Sequence, residues 1–579
     1  MTTPALSLEQ RARALQEMSN EEGVDLLVIG GGVTGAGIAL DAATRGLKVA
    51  IVEAQDWSSG TSSRSSKLVH GGLRYLYQLD LKLVHEALRE RGLLLTKNAP
   101  HLVKAQPLLW PFTTPMVERS YSTLGVGLYD VMAQAAYPGS VPIQRHHTRK
   151  GSLKICPALK EESLIGSMVY YDCRVDDARL VITLVRTALR YGALAASRCQ
   201  VVGMTKDATG RITGADLVDF ENDNRRMHVK AKHIVNATGV WTEKTESLGS
   251  TSGGLKVLAS KGIHLVVPKD RIDSEVGLFL RTEQSVLFII PWKRYWLIGT
   301  TDTKYRLNLR EPVADARDVD YVLEQANKVL AHPLTRDDVI NTYAGLRPLL
   351  QPGTRDGDAA KSTKVSREHT VTEAAPGLTV IAGGKLTSYR KMAEEAVDFV
   401  LGEQAQELPS VTAKTPLQGG AEYFALWGRR EVIARENNLS VEQVEDLLNR
   451  FGGDIAAILR LIAENPALRQ RLQAAPEYLA AEVVFACRYE GAMHLEDVLQ
   501  HRIRLVYEHR DSGIAAVPEV VELMARELDW DEATKTAESK QYIAAVQAAF
   551  AAREVEDEAA AQELREAVAP IVPMVEVGN

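Results

Sequence analysis

The sequence predicts an α/β protein: a discontinuous, Rossmann-like dinucleotide-binding domain, an inserted β-sheet domain, and a helical domain towards the C-terminus. Three observations carry that expectation. A glycine-rich turn follows an apolar run near the N-terminus and opens a helical pattern. Two more apolar strands ending in glycine stand far downstream, at 233–239 and 378–384. Beyond residue 402, strand signals give way to helix formers. At 579 residues the chain is too long for one hydrophobic core, which fits such a division.

The elements follow in order. Residues 8–19 read as a short polar helix. VDLLVI (24–29) is a compact apolar run of the buried-strand type, residues 33–45 have helical spacing, and LKVAIVE (47–53) reads as a second strand, which completes one βαβ unit. HLVVP (264–268), VLFIIPW (286–292) and YWLIGT (295–300) are β-like and interrupt the dinucleotide-binding pattern, so they belong to an insertion. TSYRKMAEEAVDFVL (387–401) is again helical. The expected boundaries are 22–95, 165–258 and 363–405 for the dinucleotide-binding domain, and 96–164 with 259–362 for the insertion. ELPSVTAKTPLQGG (407–420) reads as a linker, 421–545 as the helical domain, and 546–579 as a charged tail, either a peripheral helix or partly disordered.

Composition removes several function classes. A net charge of -7, from 68 basic and 75 acidic residues, argues against nucleic acid as partner. The four cysteines form no C-x-x-C pair and have no histidine cluster beside them, so no zinc or iron–sulfur centre is expected and no metal ligand is proposed. Their scarcity fits a reducing cytoplasm. The first residues lack the apolar core of a signal peptide, and no run of apolar residues is long enough to span a bilayer, which leaves surface attachment open.

The strongest motif is G-x-G-x-x-G at Gly30, Gly32 and Gly35. The first glycine makes the strand-to-helix turn, the second lets backbone approach a pyrophosphate, and the third lets helix and strand pack closely. The helix N-terminus offers free N–H groups to phosphate. Glu53 closes the second strand, where a ribose-binding carboxylate belongs. The motif alone does not separate NAD from FAD. Two features favour FAD: a serine-rich stretch directly after the acidic residue (57–76), and a strand–glycine–helix element near 383 that could hold the far end of an extended dinucleotide.

SSRSSKLVHGGLRYL (62–76), KGIHLVVP (261–268), IGTTDT (298–303), AGLRPL (344–349) and AGGKLTSYRKMAE (382–394) together closely resemble the FAD-dependent sn-glycerol-3-phosphate dehydrogenases, in that family's order. EGAMHLEDVLQHRIRL (490–505) resembles its C-terminal domain more loosely. The resemblance implies FAD as cofactor, a discontinuous FAD domain, a β-sheet substrate domain and a helical cap. It implies oxidation of glycerol 3-phosphate at C2 to dihydroxyacetone phosphate, with electrons passed to quinone, or in some members to oxygen.

That substrate requires fixed cations, a base for the hydroxyl proton and a flavin N5 facing C2–H. Arginine suits a phosphate because its guanidinium is planar and bidentate. By the resemblance Arg347 and Arg367 hold the substrate, with Arg74 and Tyr75 close by, and Thr301 could bond a substrate oxygen. His264 is the candidate general base, although an arginine could instead stabilise an alkoxide. Lys385, after two glycines and before a helix, would offset the negative charge of reduced flavin. Ser65, Ser66, Lys67, Gly71 and Gly72 are expected to line the FAD side, with Ala237, Gly239, Gly384, Leu386 and Thr387 near the cofactor. The basic run Arg145, His146, His147, Arg149 and Lys150 is read as a solvated face, with contact to anionic lipid as the alternative.

The expected enzyme is therefore cytoplasmic and peripheral on the inner face of the membrane, with a homodimer among its expected associations. A glycerol-3-phosphate oxidase is the first alternative, and the lack of a long insertion leans towards the dehydrogenase. A flavin-bound sensor without turnover and an amine or amino-acid oxidase are the others.

Overall fold

The computed structural model describes residues 3–73, 80–113, 117–250, 255–282, 286–351 and 369–576. Strand Val24–Ile29 lies inside an eight-stranded sheet, parallel to Val49–Val52 on one side and to Arg225–Asn236 on the other. Leu378–Ala382 extends the parallel set beyond Arg225–Asn236, and Leu194–Ala196 extends it beyond Val49–Val52. Burial on both faces explains why these strands read as continuous apolar runs rather than alternating ones. Strand order reverses at Val24–Ile29, because the chain pairs it first with Val49–Val52 and much later with Arg225–Asn236. The glycine turn thus sits at a topological switch point, the place where open α/β sheets bind ligands. Helix Val33–Thr44 packs between helices Asp177–Arg190 and Tyr389–Leu401, which share one apolar cluster with it.

The second sheet has ten strands and is largely antiparallel. Towards one end of it the long strand Val257–Pro268 pairs with Asn341–Leu350 and with Tyr295–Gly299. The apolar face of this pair rests on helix Ala316–Asn327 through Ile263, Leu265, Ala344, Val319 and Val322. Two strands expected in the dinucleotide domain, Leu68–Val69 and Gly166–Arg174, pair in this second sheet. The reason is register: Gly166–Arg174 aligns with all of Lys104–Phe112, an antiparallel partnership that sequence order alone does not reveal.

The C-terminal part is helical, with its own apolar core. It docks on the dinucleotide domain through buried ion pairs: Arg179–Glu490 at 2.7 Å, Arg186–Asp454 at 2.6 Å, Arg198–Asp497 at 2.6 Å and Asp56–Arg502 at 2.7 Å. Such pairs fix relative orientation more than they add stability. The 407–420 linker is tied down, with Asn98 Nδ2 donating to the carbonyls of Thr412 and Thr415. The tail expected to be peripheral carries helix Glu558–Glu566, in which Ala561 and Gln562 are buried. No helix among the described residues is long and apolar enough to cross a membrane.

His494 joins the domains by bonding Glu221 at 3.0 Å and Glu538 at 2.7 Å. Burial would lower its pKa, but the two carboxylates outweigh that and lift it to about 10. A raised folded-state pKa means the stabilisation is complete below the unfolded value near 6.5 and is lost as pH climbs through about 10. The variant His494→Gln should therefore unfold more easily at pH 6 by on the order of 3 kcal/mol. In urea titrations its gap from the native protein should close by pH 10. A pH-independent gap would remove the charged histidine from the account.

Candidate active site

Two cavities share a wall at Gly384, Lys385 and Leu386. The larger, about 1750 Å³, is walled by Gly30, Gly32, Glu53, Ala237, Gly239 and Lys385, among others. Gly30 has φ +111°, and a Cβ on Gly35 would lie 1.9 Å from Gly30 O, so this turn exists only with glycine at both positions. Glu53 accepts from the N–H of Gly31 at 2.6 Å and of Gln55 at 2.9 Å. Burial nonetheless pushes its carboxyl pKa up, against those two bonds and aided by the nearby Asp56. Ser62, which the sequence reading passed over, caps the helix by accepting from Val33 N–H at 2.9 Å. The residues fit a dinucleotide: a Cβ added at Gly239 would stand in open space within the wall, and the first full helix after the turn aims its N-terminus there.

The second cavity, about 1000 Å³, shares Thr61, Pro348, Gly384, Lys385 and Leu386 with the first. Strand pairing builds its floor. His264 is opposite Tyr343, Gly262 opposite Gly345, and Ser260 opposite Arg347. Alternation along a strand puts these six on one face, while Ile263, Leu265 and Ala344 face the core. The glycine pair leaves the space between the histidine and the arginine. A Cβ on Gly262 would lie 2.3 Å from Arg347 Nη2 and 2.5 Å from Thr300 Oγ1. Arg347 donates to Thr300 Oγ1 at 2.8 Å and lies 3.5 Å from Asp302, which in turn is bonded by Ser260 Oγ at 2.5 Å.

His264 is buried, its ring stacked on Tyr343 at a centroid distance of 4.7 Å, with Nε2 bonded to Ser66 Oγ at 2.9 Å. Desolvation, then the cations of Arg347 and Lys67, hold its pKa well below 6.5. The imidazole is therefore neutral near pH 7 and able to take a proton. Nδ1 is buried without a hydrogen-bond partner among the described residues.

His264, Arg347 and Lys385 converge here, with Ser65, Ser66, Gly384, Leu386 and Thr387 on the same walls. Thr387 Oγ1 locks the adjoining loop by bonding both N–H and C=O of His70. Three expected residues are placed otherwise. Lys67 does not meet the cofactor side: its buried Nζ donates to Asp177 at 2.6 Å and to Ser63 O. Thr301 is buried and its Oγ1 accepts from Ile263 N–H at 3.1 Å, while its neighbour Thr300 is the one that holds Arg347. Gly71 is a packing position, because a Cβ there would strike Leu88 and Tyr129 within 2.5 Å; Gly72, beside it, has φ +77°. Arg74, Tyr75 and Arg367 lie outside the described residues. Thr300, Asp302, Tyr343 and the Gly262–Gly345 pair were missed. Glycine and polar residues at alternate positions of two otherwise apolar strands were the available signal.

Residues 25–390 match a family model described as FAD dependent oxidoreductase, and residues 410–535 one described as the C-terminal domain of alpha-glycerophosphate oxidase. The chain is 47% identical to glycerol-3-phosphate dehydrogenase 2 of Mycobacterium tuberculosis, over 97% of this chain and 94% of that one. It is 34% identical to the mitochondrial glycerol-3-phosphate dehydrogenase of Homo sapiens, over 91% of this chain and 73% of that one. Among solved structures, glycerol-3-phosphate dehydrogenase from Bacillus halodurans, complexed with FAD, superposes with a TM-score of 0.76 at 30% identity, covering 93% of this chain and 97% of that one.

Proposed function

The chain belongs to the FAD-dependent glycerol-3-phosphate dehydrogenase family, and from that premise we propose that it oxidises sn-glycerol 3-phosphate at C2 with His264, Arg347 and Lys385 as the acting residues and a membrane quinone as final acceptor. The observation that carries this reading is the convergence of a neutral buried imidazole, an arginine and a lysine on a cavity sharing a wall with the dinucleotide cavity.

Arg347 supplies the fixed positive charge for the phosphate dianion, with Arg74, Tyr75 and Arg367 proposed beside it. Thr300 and Asp302 fix its guanidinium, so little reorganisation is needed on binding. Nε2 of His264 takes the C2 hydroxyl proton. FAD, held at the glycine turn and Glu53, would supply the two-electron oxidising power for the C2 alcohol. Lys385, on the shared wall, offsets the negative charge that reduction creates. Thr301 acts at one remove, by holding the strand that carries His264.

Anaerobic addition of glycerol 3-phosphate should bleach the flavin absorbance, and quinone analogues should restore it faster than oxygen. Stoichiometric peroxide at full turnover would replace the dehydrogenase by an oxidase. Absence of bleaching would overturn the reaction itself.

One surface supports membrane contact. Helix Val117–Ala136 exposes Leu124 (77%), Leu128 and Val131 (66%) along one stripe, while Val126, Tyr129 and Ala133 face inward. Ile143 is exposed next to it, and the exposed Arg145, Lys150 and Lys154 form a basic rim. Asp130 accepts from Gln144 N–H at 2.8 Å and holds stripe and rim together. An apolar stripe with cations at its edge fits an anionic lipid surface. Tyr129, on the inner side, accepts from Gly71 N–H at 2.8 Å, so the membrane face lies one bond from the loop bordering the active cavity. Vesicles rich in anionic lipid should bind the native protein, and the double variant Leu128→Glu, Val131→Glu should lower the bound fraction about tenfold. Equal partitioning of the two would end the membrane assignment without touching the reaction.

A further inference from the structure

The charged tail, 546–579, is outside both family matches, yet it reaches the dinucleotide cavity. Its helix Glu558–Glu566 is anchored on the second sheet. Tyr305 Oη donates to Gln562 Oε1 at 3.0 Å, Gln562 Nε2 donates to Glu311 O at 3.2 Å, and Glu558 pairs with the buried Lys261 at 2.5 Å. From there the chain returns across the molecule, and Met574, Val575 and Glu576 line the cavity together with Glu53 and Gln55.

Few bonds hold this return. Gln200, itself buried, grips Val575 in both directions: its Nε2 donates to Val575 O at 3.0 Å, and Val575 N–H donates to its Oε1 at 3.0 Å. Arg310 Nη2 donates to Val572 O at 3.1 Å. Gln55 Nε2 approaches Met574 Sδ at 3.4 Å. Arg310 also lines the cavity; it makes no ion pair among the described residues, and its Nε is buried without a partner. An unpaired cation in the wall is what a pyrophosphate-bearing ligand would neutralise.

We propose that Val572–Glu576 and Arg310 form the outer wall of the FAD site, a strap that closes over the ribose-adenine end beside Glu53 and retains the cofactor by slowing its escape. The strap is fastened by amide and guanidinium bonds rather than by a hydrophobic core, so it can open for loading. Met574 and Val575 would give the purine an apolar cover that the glycine turn does not. The proposal rests on FAD as the ligand of this cavity.

FAD release from the holoenzyme, followed by the fluorescence recovered after dilution, tests it. Gln200→Met, which keeps side-chain length and removes both amide bonds, and a deletion of residues 571–579 should each release FAD at least tenfold faster than the native chain. Circular dichroism identifies any deletion that fails to fold, in which case Gln200→Met alone decides. FAD should also protect the 567–576 segment of the native chain from protease, which a purely structural tail would not show. Release rates within twofold of native for the folded variants would overturn the strap. A native chain that holds no FAD would instead overturn the cofactor assignment.

Discussion

Replacing Arg347 by alanine should raise KM for glycerol 3-phosphate about 100-fold while FAD content stays at the native level, since a charge-assisted contact to a phosphate dianion in a partly buried site is worth on the order of 3 kcal/mol. The separation of the two effects follows from the geometry. Arg347 belongs to the second cavity and is not part of the dinucleotide cavity wall. Its loss also leaves Asp302 with less countercharge, which adds to the penalty. The same variant has a second readout. Arg347 is one of two cations that depress the His264 pKa, so its removal should shift the acid limb of the kcat profile to higher pH. Desolvation is the larger cause and persists, so the limb should remain below that of an ordinary histidine. Steady-state kinetics across pH 5 to 9 measures both. A KM within threefold of native would take Arg347 out of the phosphate site.

His264→Asn should lower kcat by about 100- to 1000-fold, the usual worth of a positioned general base, with a much smaller change in KM. Asparagine keeps a polar group near Ser66 Oγ and the stacking position against Tyr343, but cannot take a proton. Flavin reduction measured by anaerobic stopped flow isolates the chemical step from later electron transfer. In the variant that step should become more dependent on alkaline pH, because hydroxide must substitute for the imidazole. If reduction stays within fivefold of native, the proton leaves by another route and arginine stabilisation of an alkoxide becomes the better account.

The glycine turn was legible because its constraints are local. Each glycine answers to atoms a few residues away, as the Gly35–Gly30 approach shows. The strands at 24–29, 233–239 and 378–384 were legible for a related reason, since burial on both faces leaves a continuous apolar run. What remained hidden depends on pairing. Thr300 and Thr301 are neighbours of one type, and only strand register decides which hydroxyl meets Arg347. Lys67 sits in a resembling block, but Asp177, far along the chain, captures it. Tyr343 gains its place by pairing opposite His264, a contact that neither local spacing nor composition reveals. The tail was legible only in part. It read as a peripheral helix or partly disordered, while two residues of its helix are buried and its far end lines a cavity.

The order of strands in the parallel sheet has a consequence for the protein as it is made. Val24–Ile29 and its glycine turn leave the ribosome early, but the neighbour on one flank, Arg225–Asn236, and the Leu378–Ala382 strand beyond it are synthesised much later. Until Arg225–Asn236 has been made, that edge of Val24–Ile29 has no mate, and non-local parallel pairing of this kind forms slowly. The phosphate-binding turn is written first and becomes a binding site only when distant parts of the polypeptide arrive. The parallel set is complete only once Leu378–Ala382 has been made, and until then its open edge is exposed to wrong partners.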